Sequence, residues 1–244
     1  MEHQGLCIIV GAGEGLGRSL AATFARNGCD IALLSRTPQG SDAALQAARA
    51  ARPGAKVAFY PADATQPQTV EDACRRAMSE LGPVTALIYN ARSGYELKAP
   101  LSLSYAEVQE TFQLEVIGAL AAAKAVMPSM IERKRGSVLF SSATAAFRGS
   151  GSNSLFAIGK FGLRALAQGL AKAHAKDGVH VAHMRLDCTL DVPIVRKYLG
   201  AKVDREQLAN TDDVAETYWW VHRQPKSAWS NEVELRPYTE NWTY

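Results

Sequence analysis

Short apolar runs alternate along this chain with longer stretches whose apolar residues recur every three or four positions. LCIIV (6–10), DIALLS (30–35), KVAFY (56–60), VTALIYN (84–90), SVLFSS (137–142), HVAHMRL (180–186) and EVELR (232–236) have strand length and carry β-branched or aromatic side chains. Between them the spacing predicts helices near 15–27, 41–51, 67–81, 104–131, 153–176 and 212–223. Several strand runs are apolar on both faces, as fits a parallel sheet covered by helices on either side. This alternation predicts the α/β class: a single doubly wound domain, residues 1–244, whose seven-stranded parallel sheet is flanked by helices. No Pro/Gly-rich linker, repeat or low-complexity block divides it.

Two helical stretches, GALAAAKA (118–125) and GKFGLRALAQGLAKAHA (159–175), are rich in small residues. Small side chains let helices approach closely, either onto the protein's own sheet or across a subunit boundary. Both readings stay open at this point.

Composition narrows the partners. A 244-residue chain with 47% hydrophobic and 21% charged residues has material for a substantial core. Its formal net charge of +3 is too small to point to nucleic acid. The one dense basic run, ERKRG (132–136), reads as a helix end, where cations meet the negative end of the dipole. The four cysteines, Cys7, Cys29, Cys74 and Cys188, form no CxxC pair, and Cys7 and Cys29 sit in apolar runs that predict buried, reduced thiols. The five histidines make no HExxH-like cluster, so no metal is expected. The apolar stretch in MEHQGLCIIVGAG is short for a signal peptide, and no later run is expected to reach membrane-span length. The expectation is a soluble, cytoplasmic protein with a small-molecule substrate and no membrane partner.

The first strand runs directly into GAGEGLGR and then a helix. The spacing is Gly11-x3-Gly15-x-Gly17, with Leu16 where GxGxxG would need a third glycine. The physics is that of a Rossmann-type turn: glycines let a pyrophosphate approach backbone N–H groups at a helix N-terminus. After the second strand the chain reads LLSRTP, with Arg36 and no acid to accept from ribose hydroxyls. Arg36 can pair with a 2′-phosphate, whereas Glu14 in the glycine loop would repel one. On balance NADP(H) is favoured over NAD(H).

Together these motifs resemble the short-chain dehydrogenase/reductase family over nearly the whole length. The resemblance rests on the glycine loop, on Asp63 in PADAT after the third strand, on Asn90 in YNARSG after the fourth, and on LFSSA closing the fifth. It implies that Asp63 binds the adenine and that Asn90 supports the strand beside the cofactor. The family's catalytic serine matches Ser142, with Ser141 an adjacent alternative, and its lysine matches Lys160, which would also bind the nicotinamide ribose. It further implies a homodimer or homotetramer packed through the helices near 104–131 and 153–176.

The pattern then breaks. The YxxxK tyrosine falls on Phe156 in FAIGK, and the helical asparagine that completes the tetrad falls on Glu115 in FQLEVIGAL. NNAG becomes YNAR with Arg92, and LDCTLD replaces the usual Pro-Gly after the sixth strand. The chain thus resembles a divergent branch with Phe in the tyrosine's place. Losing general acid–base help forfeits roughly 10²–10⁴ in rate, while holding the reactants together still supplies effective molarities of about 10⁵–10⁸ M. Lys160, Ser142, a water or Tyr95 could move the proton instead, and Glu115 is expected to pair with Lys160. Residues 92–104 and 187–209 are expected to shape the substrate site, the latter as a lid. The resemblance implies an NADP(H)-dependent oxidoreductase acting on an unidentified carbonyl or alcohol. The alternatives are a catalytically inactive nucleotide-binding or regulatory protein, and non-redox chemistry on the same scaffold.

Overall fold

In the computed structural model, which describes residues 4–94, 96–200 and 204–239, all seven apolar runs become strands of one parallel sheet. They are β1 (Leu6–Val10), β2 (Asp30–Ser35), β3 (Val57–Pro61), β4 (Val84–Tyr89), β5 (Gly136–Ala143), β6 (Val179–Leu186) and the edge strand β9 (Glu232–Leu235). Two short strands between them, β7 (Thr189–Leu190) and β8 (Leu208–Ala209), form a separate parallel pair. The order in the main sheet is β3-β2-β1-β4-β5-β6-β9.

Side chains alternate across each strand, so the sheet feeds two cores. On one face Ile8, Leu87, Val138 and Phe140 pack against α3 (Pro67–Leu81), α5 (Gly118–Glu132) and α6 (Ser154–His174). On the other, Cys7, Ile9, Ile31 and Leu139 pack against α1 (Leu16–Arg26), α2 (Pro38–Ala51) and α8 (Thr211–His222). Phe24 of α1 meets Trp219 of α8 edge-on, ring centroids 5.2 Å apart, a contact worth about 0.5–1.5 kcal/mol beyond burial. Cys7, Cys29 and Cys74 are buried free thiols, and burial raises the pKa of each.

Three expectations need correction. The helix expected over 104–131 is two helices, α4 (Tyr105–Phe112) and α5, joined by a π-helical turn, Gln113–Ile117. Helix α2 starts three residues before the expected 41, because Thr37 caps Gly40 N–H and Pro38 opens the first turn. The expectation that no run reaches membrane-span length also fails, since Tyr105–Glu132 is long and apolar enough by length and composition. Half of its most apolar stretch is buried inside the protein, and Ala122 and Val126 belong to the core. ERKRG behaves as expected: α5 ends at Glu132 with Arg133 as its C-cap.

His222, the last residue of α8, ties that helix to the start of β5 through Ser137 Oγ, 2.7 Å away. Burial, followed by the charges of Arg135, His180 and Arg223, holds its imidazole at about 4 instead of the ordinary 6.5. Burial also lowers His180 and His183. The unfolded chain takes up protons near pH 6.5 that the folded state refuses, so stability is complete above 6.5 and falls as pH drops towards 4. For His222 alone the loss is on the order of 3 kcal/mol. Denaturant unfolding at pH 7.5 and pH 4.5 should show a larger loss for wild type than for His222→Asn; equal losses would assign the pH dependence elsewhere.

Candidate functional site

The strand order reverses between β1 and β4, and that reversal opens a crevice at the C-terminal edge of the sheet. Gly11 leaves β1 with φ +84°, and a Cβ there would stand 2.4 Å from Ala91 N. Only glycine serves at this position. Asn90 locks the same two loops together: its N–H donates to Val10 O at 2.8 Å and its side-chain amide to Gly11 O at 2.9 Å. Gly15 then begins α1 with no side-chain cap and no acid in the first turn. The leading N–H groups of the helix are left to meet a phosphate. Leu16 and Gly17 follow as the first helical residues, and the Leu16 side chain is buried in the core, which leaves only its backbone to a ligand.

The neighbouring loops carry the other candidates. Arg36 is exposed just past β2, as is Glu14 in the glycine loop. Ser35 Oγ donates to Thr37 O, 2.8 Å away. After β3, Asp63 Oδ1 accepts from Thr65 N–H at 2.9 Å and from its hydroxyl at 2.8 Å, so the turn is set before any base arrives. Val192 reaches the glycine loop from the far side. Its Cγ1 lies 2.8 Å from where a Gly15 Cβ would be, at the point where α7 (Pro193–Leu199) begins.

Deeper in the crevice, Lys160 Nζ donates to Glu115 Oε2 at 2.8 Å. The lysine is 3% exposed and the glutamate 0%. Glu115 sits in the π turn, while Gly159 brings α6 close; a Cβ at Gly159 would stand 2.7 Å from Glu115 Cγ. Burying two charges costs several kcal/mol per ion unless the remaining donors and acceptors are satisfied. Here Glu115 Oε1 accepts from Ser93 N–H at 2.7 Å and Ser93 Oγ–H at 3.0 Å. Lys160 also donates to Ser141 O at 3.2 Å. Its ammonium is 5.5 Å from the centroid of the Phe156 ring, the cation–π approach that the four-residue helical spacing allows.

The alternation of β5 separates the two serines. Ser141 Oγ accepts from Tyr218 on the α8 side, at 2.9 Å. Ser142 faces the other way, the face shared with α6, and its buried hydroxyl finds no hydrogen-bond partner among the described residues. Two tyrosines border the region, and both hydroxyls are committed: Tyr218 to Ser141 and Tyr89 to Leu114 O in the π turn. Burial raises both phenols, with Glu115 and Asp63 adding to the shift at Tyr89. Neither is placed to stand in for a missing phenol. Tyr95 lies outside the described residues. The structure therefore brings Phe156, Lys160 and Glu115 together, sets Ser142 on the α6 face of the adjoining strand, and adds Ser93, which sequence reasoning had not assigned.

A sequence profile of the family described as short chain dehydrogenase matches residues 6–198. An uncharacterized oxidoreductase of Staphylococcus aureus (strain MRSA252) is 26% identical over 234 residues, 95% of this chain and 96% of the relative. A short-chain dehydrogenase from Rhodopseudomonas palustris superposes with TM-score 0.82 at 25% identity, over 97% of this chain and 100% of that one. A metagenomic short-chain oxidoreductase solved in complex with NADP superposes with TM-score 0.82 at 20% identity, over 96% and 98% of the two chains. At that identity the likeness shows the fold alone.

The ion pair generates a stability prediction. Glu115→Gln keeps the shape but leaves the Lys160 charge unmatched, which should cost about 3–5 kcal/mol. Adding Lys160→Met removes the stranded charge, so the double variant should lose less than the sum of the singles. Chemical unfolding of the four proteins checks this, and strict additivity would rule the coupling out.

Proposed function

This chain belongs to the short-chain dehydrogenase/reductase family, and from that premise we propose that it is an NADP(H)-dependent oxidoreductase acting on a small carbonyl or alcohol in the cytoplasm. The observation that carries the reading is the unpartnered Ser142 hydroxyl on the α6 face of β5, next in sequence to the carbonyl that the buried Lys160 ammonium bonds, together with a glycine cradle at a helix N-terminus. The loop and crevice fit a dinucleotide: Gly11, Gly15, Leu16 and Gly17 offer backbone to the diphosphate, Asp63 the adenine contact, and Arg36 a partner for the 2′-phosphate. When bound, the nicotinamide supplies or accepts the hydride.

The chain's own residues do the rest. Lys160, held by Glu115 and Ser141 O, has one N–H left that would bond the nicotinamide ribose. Ser142 donates to the substrate oxygen, and the nearby ammonium stabilises the developing alkoxide. Phe156 closes the site without a titrating proton, so proton transfer rests on Ser142, Lys160 and water. This route is slower than one through a phenol by a factor of roughly 10²–10⁴. The second reading is a nucleotide-binding regulatory protein without turnover. Phe156 itself favours it, because the ring four residues before Lys160 carries no hydroxyl.

A nucleotide titration followed by a carbonyl and alcohol screen tests both readings. NADPH should bind more tightly than NADH, and Arg36→Ala should narrow the gap. Lys160→Ala should weaken both nucleotides by the ~1.5–3 kcal/mol of charge-assisted hydrogen bonds. Phe156→Tyr should leave affinity unchanged and raise turnover by up to ~10²–10⁴. Binding without wild-type turnover across the screen selects the regulatory reading, and no binding of either nucleotide sinks both.

We propose as well that the protein is a homodimer or homotetramer through α4, α5 and α6. Phe112, Leu120, Ile158 and Phe161 leave apolar surface exposed there, and such side chains are costly to keep in water. Sedimentation should show a dimer or tetramer that Phe161→Glu dissociates; a wild-type monomer at micromolar concentration would exclude it.

A further inference from the structure

The basic run that ends α5 has a second environment. Arg135 turns into a cavity of about 290 Å³ at the N-terminal edge of the sheet, the edge opposite the glycine loop. Arg223 and Lys226, from the end of α8 and the loop after it, reach the same cavity, and His180, His222 and Trp229 complete the wall. Among the described residues no Asp or Glu lines it.

A helix end accounts for one cation at a time. It does not account for three cations from two segments far apart in sequence meeting at one concavity. Lys226 Nζ donates to Lys134 O at 2.8 Å, and Arg223 lies 5.8 Å from the Trp219 ring centroid, but among the described residues neither meets a counter-charge there. The wall is also fixed in place. Trp229 Nε1–H donates to Gln224 O at 3.1 Å, and Ser230 N–H donates to Gln224 Oε1 at 2.7 Å. His180 stacks on Trp229, centroids 4.7 Å apart and planes 3° from parallel, and hydrogen-bonds Ser230 O at 2.9 Å.

Arg135, Arg223 and Lys226 are exposed, so water screens their mutual repulsion in part. An anion seated between them would offset the rest, and two guanidinium groups supply forked donors that match oxyanions. We propose that this cavity is a binding site for a small polyanion of metabolite size, either a phosphate ester or a polycarboxylate, separate from the nucleotide crevice. Arg135 and Arg223 hold the oxyanion, Lys226 adds charge, and the Trp229–His180 stack forms the floor. The inference does not depend on the reading of the opposite edge. It has a built-in reporter, because the charges of Arg135 and Arg223 together with His180 help keep His222 neutral. Ser137 is its hydrogen-bond partner, and a bound anion should draw its pKa upward.

The test uses the full chain, isotopically labelled, with inorganic phosphate, pyrophosphate and citrate titrated at constant ionic strength against sodium chloride. The imidazole resonances of His222 and His180 should shift saturably, and the His222 pKa should rise from about 4. Arg135→Gln and Arg223→Gln should each weaken binding at least about tenfold. Arg36→Gln, at the other edge, should leave it unchanged. Saturation by phosphate or pyrophosphate but not citrate identifies a phosphoryl ligand, and the reverse a carboxylate. Thermal unfolding confirms that each variant is folded. Shifts that follow ionic strength alone, or that persist unchanged in both arginine variants, would overturn the proposal, as would loss of binding in Arg36→Gln.

Discussion

An ammonium and a carboxylate, both sealed from water, meet where the π turn, α6 and the end of β5 converge, and the shape of the crevice follows from keeping them paired. Separating Lys160 from Glu115 would strand a charge in the interior, so every element that touches the pair is held to its position. Gly159 is part of this, because any side chain there would push α6 off Glu115. The π turn is another, since an uninterrupted α-helix would carry position 115 along a different angular course. Ser93 is a third: by donating twice to Glu115 it anchors the loop after β4, the loop that Asn90 has already tied to Gly11. The ion pair and the glycine cradle are therefore one connected network, joined through the four residues 90–93.

This network gives Phe156 a different standing from a simple loss. Its ring lies within reach of the Lys160 ammonium, so the lysine keeps an aromatic neighbour while its strong acceptors lie elsewhere, at Glu115 and Ser141 O. The position of the lysine does not depend on a phenol, because Glu115 and Ser141 O hold it.

Legibility in the sequence tracked how local each signal was. The strands could be read because burial on both faces makes them near-continuous apolar runs, as in VTALIYN and DIALLS. The glycine loop could be read because Gly11 and Gly17 serve a backbone geometry written into adjacent residues. The π turn could not, since inserting one residue into a helix barely disturbs the recurrence of apolar positions across FQLEVIGAL. The start of α2 was missed for a different reason. Thr37 and Pro38 are helix-start signals, but apolar periodicity begins only after them. The Ser93–Glu115 contact, spanning 22 residues, and the Tyr218–Ser141 contact, spanning 77, have no local trace at all. That Ser141 and Ser142 face opposite sides of the sheet follows from the parity of β5, once its faces are known.

The approach of Val192 to Gly15 joins two segments that lie far apart in sequence. A valine methyl occupies the space beside the glycine where another residue's side chain would begin, so cradle and covering segment share one van der Waals surface. Any group that approaches those N–H groups meets the valine first. The contact is a single aliphatic side chain, placed where the helix Pro193–Leu199 begins. The covering segment therefore touches the cradle at Val192, well before Lys160 and Glu115 are reached.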